Sequence, residues 1–251
     1  MTDRGRAGLA VAIVVPVRNE AGNIAPLVAE IGAAMRDQGA FEVIYVDDGS
    51  TDATRAEILR LEAIHPWLRH LAHERSCGKS AAVRNGVKAA QAPVIVTLDG
   101  DGQNDPAVIP RMVAELAEAG PHCGLVAGQR LGRQDTAFKR FQSKVANVVR
   151  EAFLDDGTRD TNCGLKCFPR EVYLDLPFFD GLHRFLPALV RRDGYAISLI
   201  DVVDRPRLSG VSNYGFLDRL WVGIADLVGV SWLIRRRRKI PELAGTPPRA
   251  V

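Results

Sequence analysis

The sequence predicts an α/β domain with a mostly parallel central sheet, and three observations support this. Short apolar runs rich in Val and Ile alternate with longer segments of helical spacing, the pattern of successive βαβ units. With 47% hydrophobic and 25% charged residues, a chain of 251 residues carries enough apolar material for one sizeable core. Acidic and small residues directly follow several of the apolar runs, at the carboxyl ends where open α/β sheets bind their ligands.

The first strand, 10–17 (AVAIVVPV), is an apolar run broken by Pro16 and Arg18, too short for the core of a secretory signal peptide. A helix over 22–38 leads to a second strand, FEVIYVD at 41–47. Ser50 or Asp52 is placed to cap the following helix, 52–64. A strand at 68–73 and a helix at 79–91 come next, then PVIVTLD at 93–99. Asp105 ahead of Pro106 is the start signal of a helix over 106–119. The remainder reads as strand 124–129, helix 138–154, strand 164–168, helix 183–193, strand 196–203 and helix 214–235. The tail at 240–251 is rich in Pro, Gly and Ala and is expected to be disordered.

A formal net charge of +3 argues against nucleic acid as a partner, although Arg235 to Lys239 form one basic run. Cys77, Cys123, Cys163 and Cys167 make no CxxC pair and stand at no zinc-finger spacing, which suits a reduced, cytoplasmic setting. No stretch of about 18 uninterrupted apolar residues predicts a membrane-spanning helix.

Chemistry concentrates at the strand ends. Asp47 and Asp48 stand together before GSTD, and one helix start needs only one capping side chain. The fourth strand runs into LDGDGQNDP. If that segment stays extended, Asp99, Asp101 and Gln103 point the same way and offer hard oxygen ligands for Mg2+ or Mn2+ on a diphosphate. A Gly-rich turn capped by Asp105 is the plainer alternative, and it explains Asp105 better than Asp99 or Asp101.

VVPVRNE, VDDGSTD, the segment from Lys79 to Gly86 (KSAAVRNG) and LDGDGQNDP, at these spacings, closely resemble the family 2 inverting glycosyltransferases of the nucleotide-sugar-binding GT-A fold. Within that family the chain is similar to the dolichol-phosphate mannosyltransferase and undecaprenyl-phosphate glycosyltransferase branch, from about residue 10 to about residue 230. The resemblance implies a GT-A catalytic domain over 1–212. It also implies that Pro16, Asn19 and Glu20 line the nucleotide pocket, that Asp48 contacts base or ribose, and that Lys79 belongs to the nucleotide-sugar site. Asp99, Asp101 and Gln103 would hold the metal. KRFQSKVAN offers Arg140 and Ser143 to an acceptor phosphate. DTNCGLKCFPR matches a family stretch at Asp160 and Lys166, with Leu165 replacing the usual Phe, and DRPRLSGVSNYG matches at Arg207, Gly210 and Ser212, with Asn213 where relatives often carry Lys.

The activity so implied is inverting transfer of a sugar from a UDP- or GDP-linked donor to a polyprenyl phosphate. Asp101 and Arg207 would stabilise the leaving diphosphate, with help from Arg205. A phosphate acceptor is already anionic and needs no strong base, so Asp160 is expected to orient basic residues rather than abstract a proton. The alternative is a family 2 enzyme with a hydroxyl acceptor, although no QxxRW segment of the processive synthases is present. No GxGxxG follows the first strand, which argues against a dehydrogenase.

On a helical wheel of 216–234, Asp218, Arg219, Gly223, Asp226 and Gly229 share an arc of roughly 140°, and apolar residues including Trp221 and Trp232 fill the rest. With the basic run behind it, the segment 213–239 reads as an amphipathic helix lying on an anionic membrane surface. That makes the protein peripheral on the cytoplasmic inner face, and the sequence is compatible with a homo-oligomer.

Overall fold

The computed structural model describes residues 10–131, 154, 157–158, 160–205 and 216–236, except for the side chains of 216–222 and 224. Seven strands form one sheet: β1 (Val11–Val17), β2 (Phe41–Asp47), β3 (Leu68–Ala72), β4 (Val94–Thr97), β5 (Cys123–Leu131), β6 (Lys166–Pro169) and β7 (Ala196–Val203). Their order is β3-β2-β1-β4-β6-β5-β7. β6 runs antiparallel to β4 and β5, and every other pairing is parallel.

Each strand of the central group is buried on both faces, which is why it reads as an almost continuous apolar run. Alternate residues serve opposite sides of the sheet. Ile13, Val15, Val43 and Tyr45 join the core under α1 (Ala21–Ala34), α2 (Thr54–Glu62) and α4 (Ile109–Glu118). Ala12, Val14, Ile44 and Val46 join the other core, under α3 (Lys79–Ala89), α5 (Arg170–Asp175) and α6 (Leu182–Arg192). A Cβ on Gly86 would collide with Val14, so glycine is what lets α3 settle onto the sheet.

The register places the site. Val17 pairs with Asp47, and Thr97 pairs with both Val14 and Lys166, so the carboxyl ends of β1, β2 and β4 and the start of β6 meet along one edge. The expected strands are found within about two residues of their ends, except that β4 stops at Thr97 instead of 99. Helix α5 was not expected, since six residues are too few for a periodic signal. The expected helix 138–154, apart from Leu154, lies outside the described residues.

Helix α7 (Phe216–Arg235) corrects the wheel. Leu227, Leu233 and Ile234 pack on the domain, and Val230 and Ser231 are buried. Asp226, expected on the solvated arc, faces the domain and pairs with Arg184 at 2.7 Å. Arg192 donates to the Leu233 and Arg236 carbonyls, gripping the last turn. A wheel sorts residues by polarity alone and cannot see a part-buried ion pair. Val228 and Trp232 remain 60% and 58% exposed, and Arg236 stacks 5.3 Å from the Trp232 ring. Among the described residues no helix is long and apolar enough to cross a membrane.

Candidate functional site

At the β1 and β2 ends, side chains lock the loops to one another. Asp47 accepts from Ser50 N–H and shapes the DDGS turn. Asn19, at φ 56°, accepts from Thr51 N–H while its own N–H donates to the Ser50 hydroxyl. A short polar side chain tolerates that left-handed backbone better than most. Glu20 N–H donates to the Thr54 hydroxyl, and Asp52 accepts from Thr54 N–H, although the N-cap of α2 is Ala53 and neither Ser50 nor Asp52 fills that position.

Asp48 is 5% exposed and its carboxylate accepts four hydrogen bonds: His73 Nδ1 at 2.7 Å, Ser76 Oγ at 2.7 Å, Cys77 N–H at 2.7 Å and Gly78 N–H at 2.9 Å. Burial pushes its pKa up, but these donors outweigh burial and hold it below the usual carboxylate range. The paired aspartates therefore have separate tasks. Asp47 makes a turn, and Asp48 fastens the loop that delivers Lys79 to the first position of α3. One ligand atom each from Asp48, His73 and Cys77 lies within 4.8 Å, close enough for an ion, though an ion there would have to displace donors from Asp48.

Beyond β4 the chain does not stay extended, and the Gly-rich turn weighed against that path is what forms. Gly100 and Gly102 turn it, Gly102 at φ +73°, and Asp101 accepts from Gln103 N–H across the turn. A side chain at Gly100 would strike Val17, so the turn packs against β1. Asp101 and Gln103 are thus joined by a turn, and strand alternation does not govern where Asp99, Asp101 and Gln103 point. Asp105 caps the helix start at Ala107 N–H, as expected.

Asp99 faces a cavity of about 20 Å3 with Pro16, Lys79, Thr97, Lys166 and His183 on its walls. Lys79 Nζ lies 2.5 Å from Asp99 Oδ1. Burial would raise the Asp99 pKa, yet the charge and hydrogen bond of Lys79 and the charge of Lys166 hold it below its ordinary value, so it is anionic. A Cβ on Gly164 would overlap this carboxylate, which explains glycine there. Lys166 is 5% exposed, donates to the Thr161 and Cys163 carbonyls, and is pushed down to about 8, first by burial and then by Lys79. An anionic carboxylate whose Oδ2 has no hydrogen bond among the described residues, with the partly exposed Asp101 two residues on, is a donor set that fits Mg2+ or Mn2+, which bind through one or two carboxylates plus phosphate oxygens.

Sequence reasoning missed the residue that ties the far side together. Arg130, at the end of β5, holds Asp160 through two nitrogens and reaches Asp204 at 3.3 Å, while Asn104 also donates to Asp204. One guanidinium thus links the DTNCGL stretch to the segment leaving β7, and through Asp204 and Asn104 to the turn after β4. Asp160 sits in this clamp. Arg205 pairs with Glu30 and Asp105, both at 2.8 Å. Arg140, Ser143 and Arg207 lie outside the described residues. A charged residue closing an otherwise apolar strand was the one signal for Arg130, and His183 gave none.

The family model described as glycosyl transferase family 2 matches residues 12–176. The chain is 34% identical over 236 residues to the dodecaprenyl-phosphate galacturonate synthase of Rhizobium johnstonii, covering 92% of this chain and 69% of that protein. It is 33% identical over 210 residues to the undecaprenyl-phosphate 4-deoxy-4-formamido-L-arabinose transferase of Pectobacterium carotovorum, covering 82% of this chain and 63% of that one. The chain thus spans about two thirds of these relatives' length. Among solved structures, glucosyl-3-phosphoglycerate synthase from Mycobacterium tuberculosis, crystallised with Mn2+, UDP and glucosyl-3-phosphoglycerate, superposes with a TM-score of 0.69 at 21% identity, over 93% of this chain and 82% of that one. That likeness carries the fold.

Proposed function

The chain belongs to glycosyl transferase family 2, and from that premise we propose that it transfers a sugar from a UDP- or GDP-linked donor to a polyprenyl phosphate, with inversion, at the cytoplasmic face of a membrane. The observation that carries the reading is the meeting of Asp99, Lys79 and Lys166 at the carboxyl edge of the sheet, beside loops that Asp48 and Asn19 hold in place. The relatives named above take dodecaprenyl and undecaprenyl phosphates, which supports the acceptor class.

Pro16, Asn19, Glu20 and Asp48 serve the nucleoside side of the donor, Asp48 by holding the 73–78 loop against it. Asp99, Asp101 and Gln103 hold Mg2+ or Mn2+, which supplies charge neutralisation on the leaving diphosphate when bound. Lys79, released from Asp99, adds a second positive charge there. Asp160 orients Arg130. Arg140 and Ser143 receive the acceptor phosphate, and Arg207 contacts phosphate in the last loop. Helix α7 lies on an anionic membrane surface through Val228, Trp232 and the basic run, which makes attachment peripheral.

The test is transfer from a panel of UDP- and GDP-sugars to a short polyprenyl phosphate, with the neutral polyprenol as control. Arg140→Ala should lower acceptor efficiency roughly 10- to 150-fold while donor binding stays intact. Efficient transfer to the polyprenol, with Arg140→Ala indifferent, would assign the protein to the hydroxyl-acceptor enzymes instead.

A further inference from the structure

His183 is the second residue of α6, and it lines the cavity beneath Asp99. Gly181 N–H donates to Ser80 Oγ at 3.0 Å, so this oxygen already has a donor, and its own proton needs an acceptor. His183 Nδ1, 2.7 Å away, is placed to take it. Nδ1 therefore accepts and the ring proton is on Nε2.

Nε2–H has no hydrogen-bond partner among the described residues. His183 is half-buried and lines the cavity, so an N–H that is held in place there and still open is suited to an incoming oxygen. The charged neighbours point the same way. Burial first, then Lys79, Lys166 and Arg184, push the His183 pKa down to about 3, with Asp99 acting weakly in the other direction. The ring stays neutral at working pH, a fixed hydrogen-bond donor rather than a general acid or base. Lys166 supplies a second donor a short way along the wall, since two of its three N–H groups are used on carbonyls.

The position identifies which part of the ligand arrives here. Along the carboxyl edge of the sheet, the nucleoside side lies over β1 and β2 and the diphosphate at Asp99. The cavity continues past Asp99 toward β6 and α6, where the sugar of a nucleotide sugar comes next. At about 20 Å3 it holds one water-sized group, not a whole ring.

We propose that Nε2–H of His183, together with the Lys166 ammonium, receives a single hydroxyl group of the sugar being transferred and so selects the donor. The proposal rests on the glycosyltransferase reading above and adds to it a residue and a ligand group. Ser80 is a positioning residue in this scheme, since it acts through the ring.

The experiment compares the full-length chain with His183→Ala, His183→Gln and Ser80→Ala in two measurements. The first is calorimetric binding of UDP and GDP with Mg2+ or Mn2+. The second is steady-state transfer from UDP- and GDP-sugars and their monodeoxy analogues. His183→Ala should lower kcat/KM for the intact donor about tenfold while leaving nucleoside diphosphate affinity within about twofold. Against the one deoxy donor lacking the recognised hydroxyl, the same variant should have no effect. His183→Gln, which retains an N–H near Nε2, should recover most of the loss, and Ser80→Ala should show a smaller loss of the same kind. Equal damage to nucleoside diphosphate binding, or an undiminished penalty on every deoxy donor, overturns the proposal. If the unmodified protein transfers from no nucleotide sugar, the reading in the preceding section fails. If it transfers well and the variants do not discriminate among donors, this inference alone fails.

Discussion

Two ends of the same sheet edge solve the problem of burying polar groups in opposite ways. Over β1 and β2, the side-chain oxygens of Asn19, Asp47 and Asp48 accept from backbone N–H groups of neighbouring loops, and Ser50 Oγ does the same. Over β4 and β6, the groups are charges that face one another: Asp99 against Lys79, with Lys166 held on carbonyls. Hydrogen bonds to the backbone cannot be exchanged without moving a loop, so the first region is a frame. The charges of the second can be re-paired with a ligand without any change of fold, so it is the region equipped for chemistry. Substitutions in the two should therefore separate stability from turnover.

The largest separation is expected at the metal turn. Asp101→Ala, or removal of divalent ions with a chelator, should lower turnover at least about 100-fold, a loss of roughly 3 kcal/mol of transition-state stabilisation. Thermal stability should fall by much less than turnover, since the fold loses a turn hydrogen bond from Gln103 N–H. Full activity in chelator would remove the metal from this scheme.

Lys166 tests whether the β4–β6 end stores electrostatic cost. Its pKa is lowered to about 8, so between about pH 8 and the ordinary lysine value near 10.4 the unfolded chain binds more protons than the folded one. Stability from this group therefore rises with pH through that window, by about 3 kcal/mol in all. Urea denaturation of wild type and Lys166→Met across the window should show the extra slope in the wild type alone. Parallel curves would mean that the ammonium is better solvated than its burial implies.

Much of this was legible in the sequence, for a physical reason. The strands of a doubly covered parallel sheet are apolar on both faces, so β1, β2 and β4 announce themselves as runs, and glycine and aspartate mark where they stop. What failed was local or distant. The turn at Gly100 and Gly102 depends on a close approach to Val17, which no period in the chain encodes. Arg130 and His183 acquire their roles from partners 30 to 103 positions away in sequence, Asp160, Asp204 and Ser80. Asp226 looked solvated until α6 supplied Arg184.

In the frame, the smaller effect should fall on stability. Asp48→Ala removes the acceptor of two backbone N–H groups, Cys77 and Gly78, in a part-buried loop. The expected cost is about 2 kcal/mol, read as a lower urea midpoint with an unchanged slope. UDP or GDP affinity should fall as well, because the 73–78 loop loses its anchor. A variant as stable as wild type would mean that water replaces the carboxylate without penalty.

The smallest effect lies away from both ends, on α7, and its direction separates two reasons for an exposed tryptophan. Trp232 is 58% exposed on a helix whose other side is fastened to the domain by Asp226, Leu233 and Ile234, so its removal should not disturb the fold. If it enters a lipid interface, covering about 100 Å2 of its apolar surface contributes on the order of 2 kcal/mol. Trp232→Ser should then weaken sedimentation with zwitterionic and anionic vesicles alike, by roughly tenfold or more. Arg235→Ser and Arg236→Ser should act on anionic vesicles alone, by about 1 kcal/mol each, and the difference should vanish at high salt. Because Arg236 stacks on the Trp232 ring, the double variant at these two positions should lose less than the sum of the single losses. Binding indifferent to all three changes would leave α7 as a helix packed on the domain with a solvated basic end.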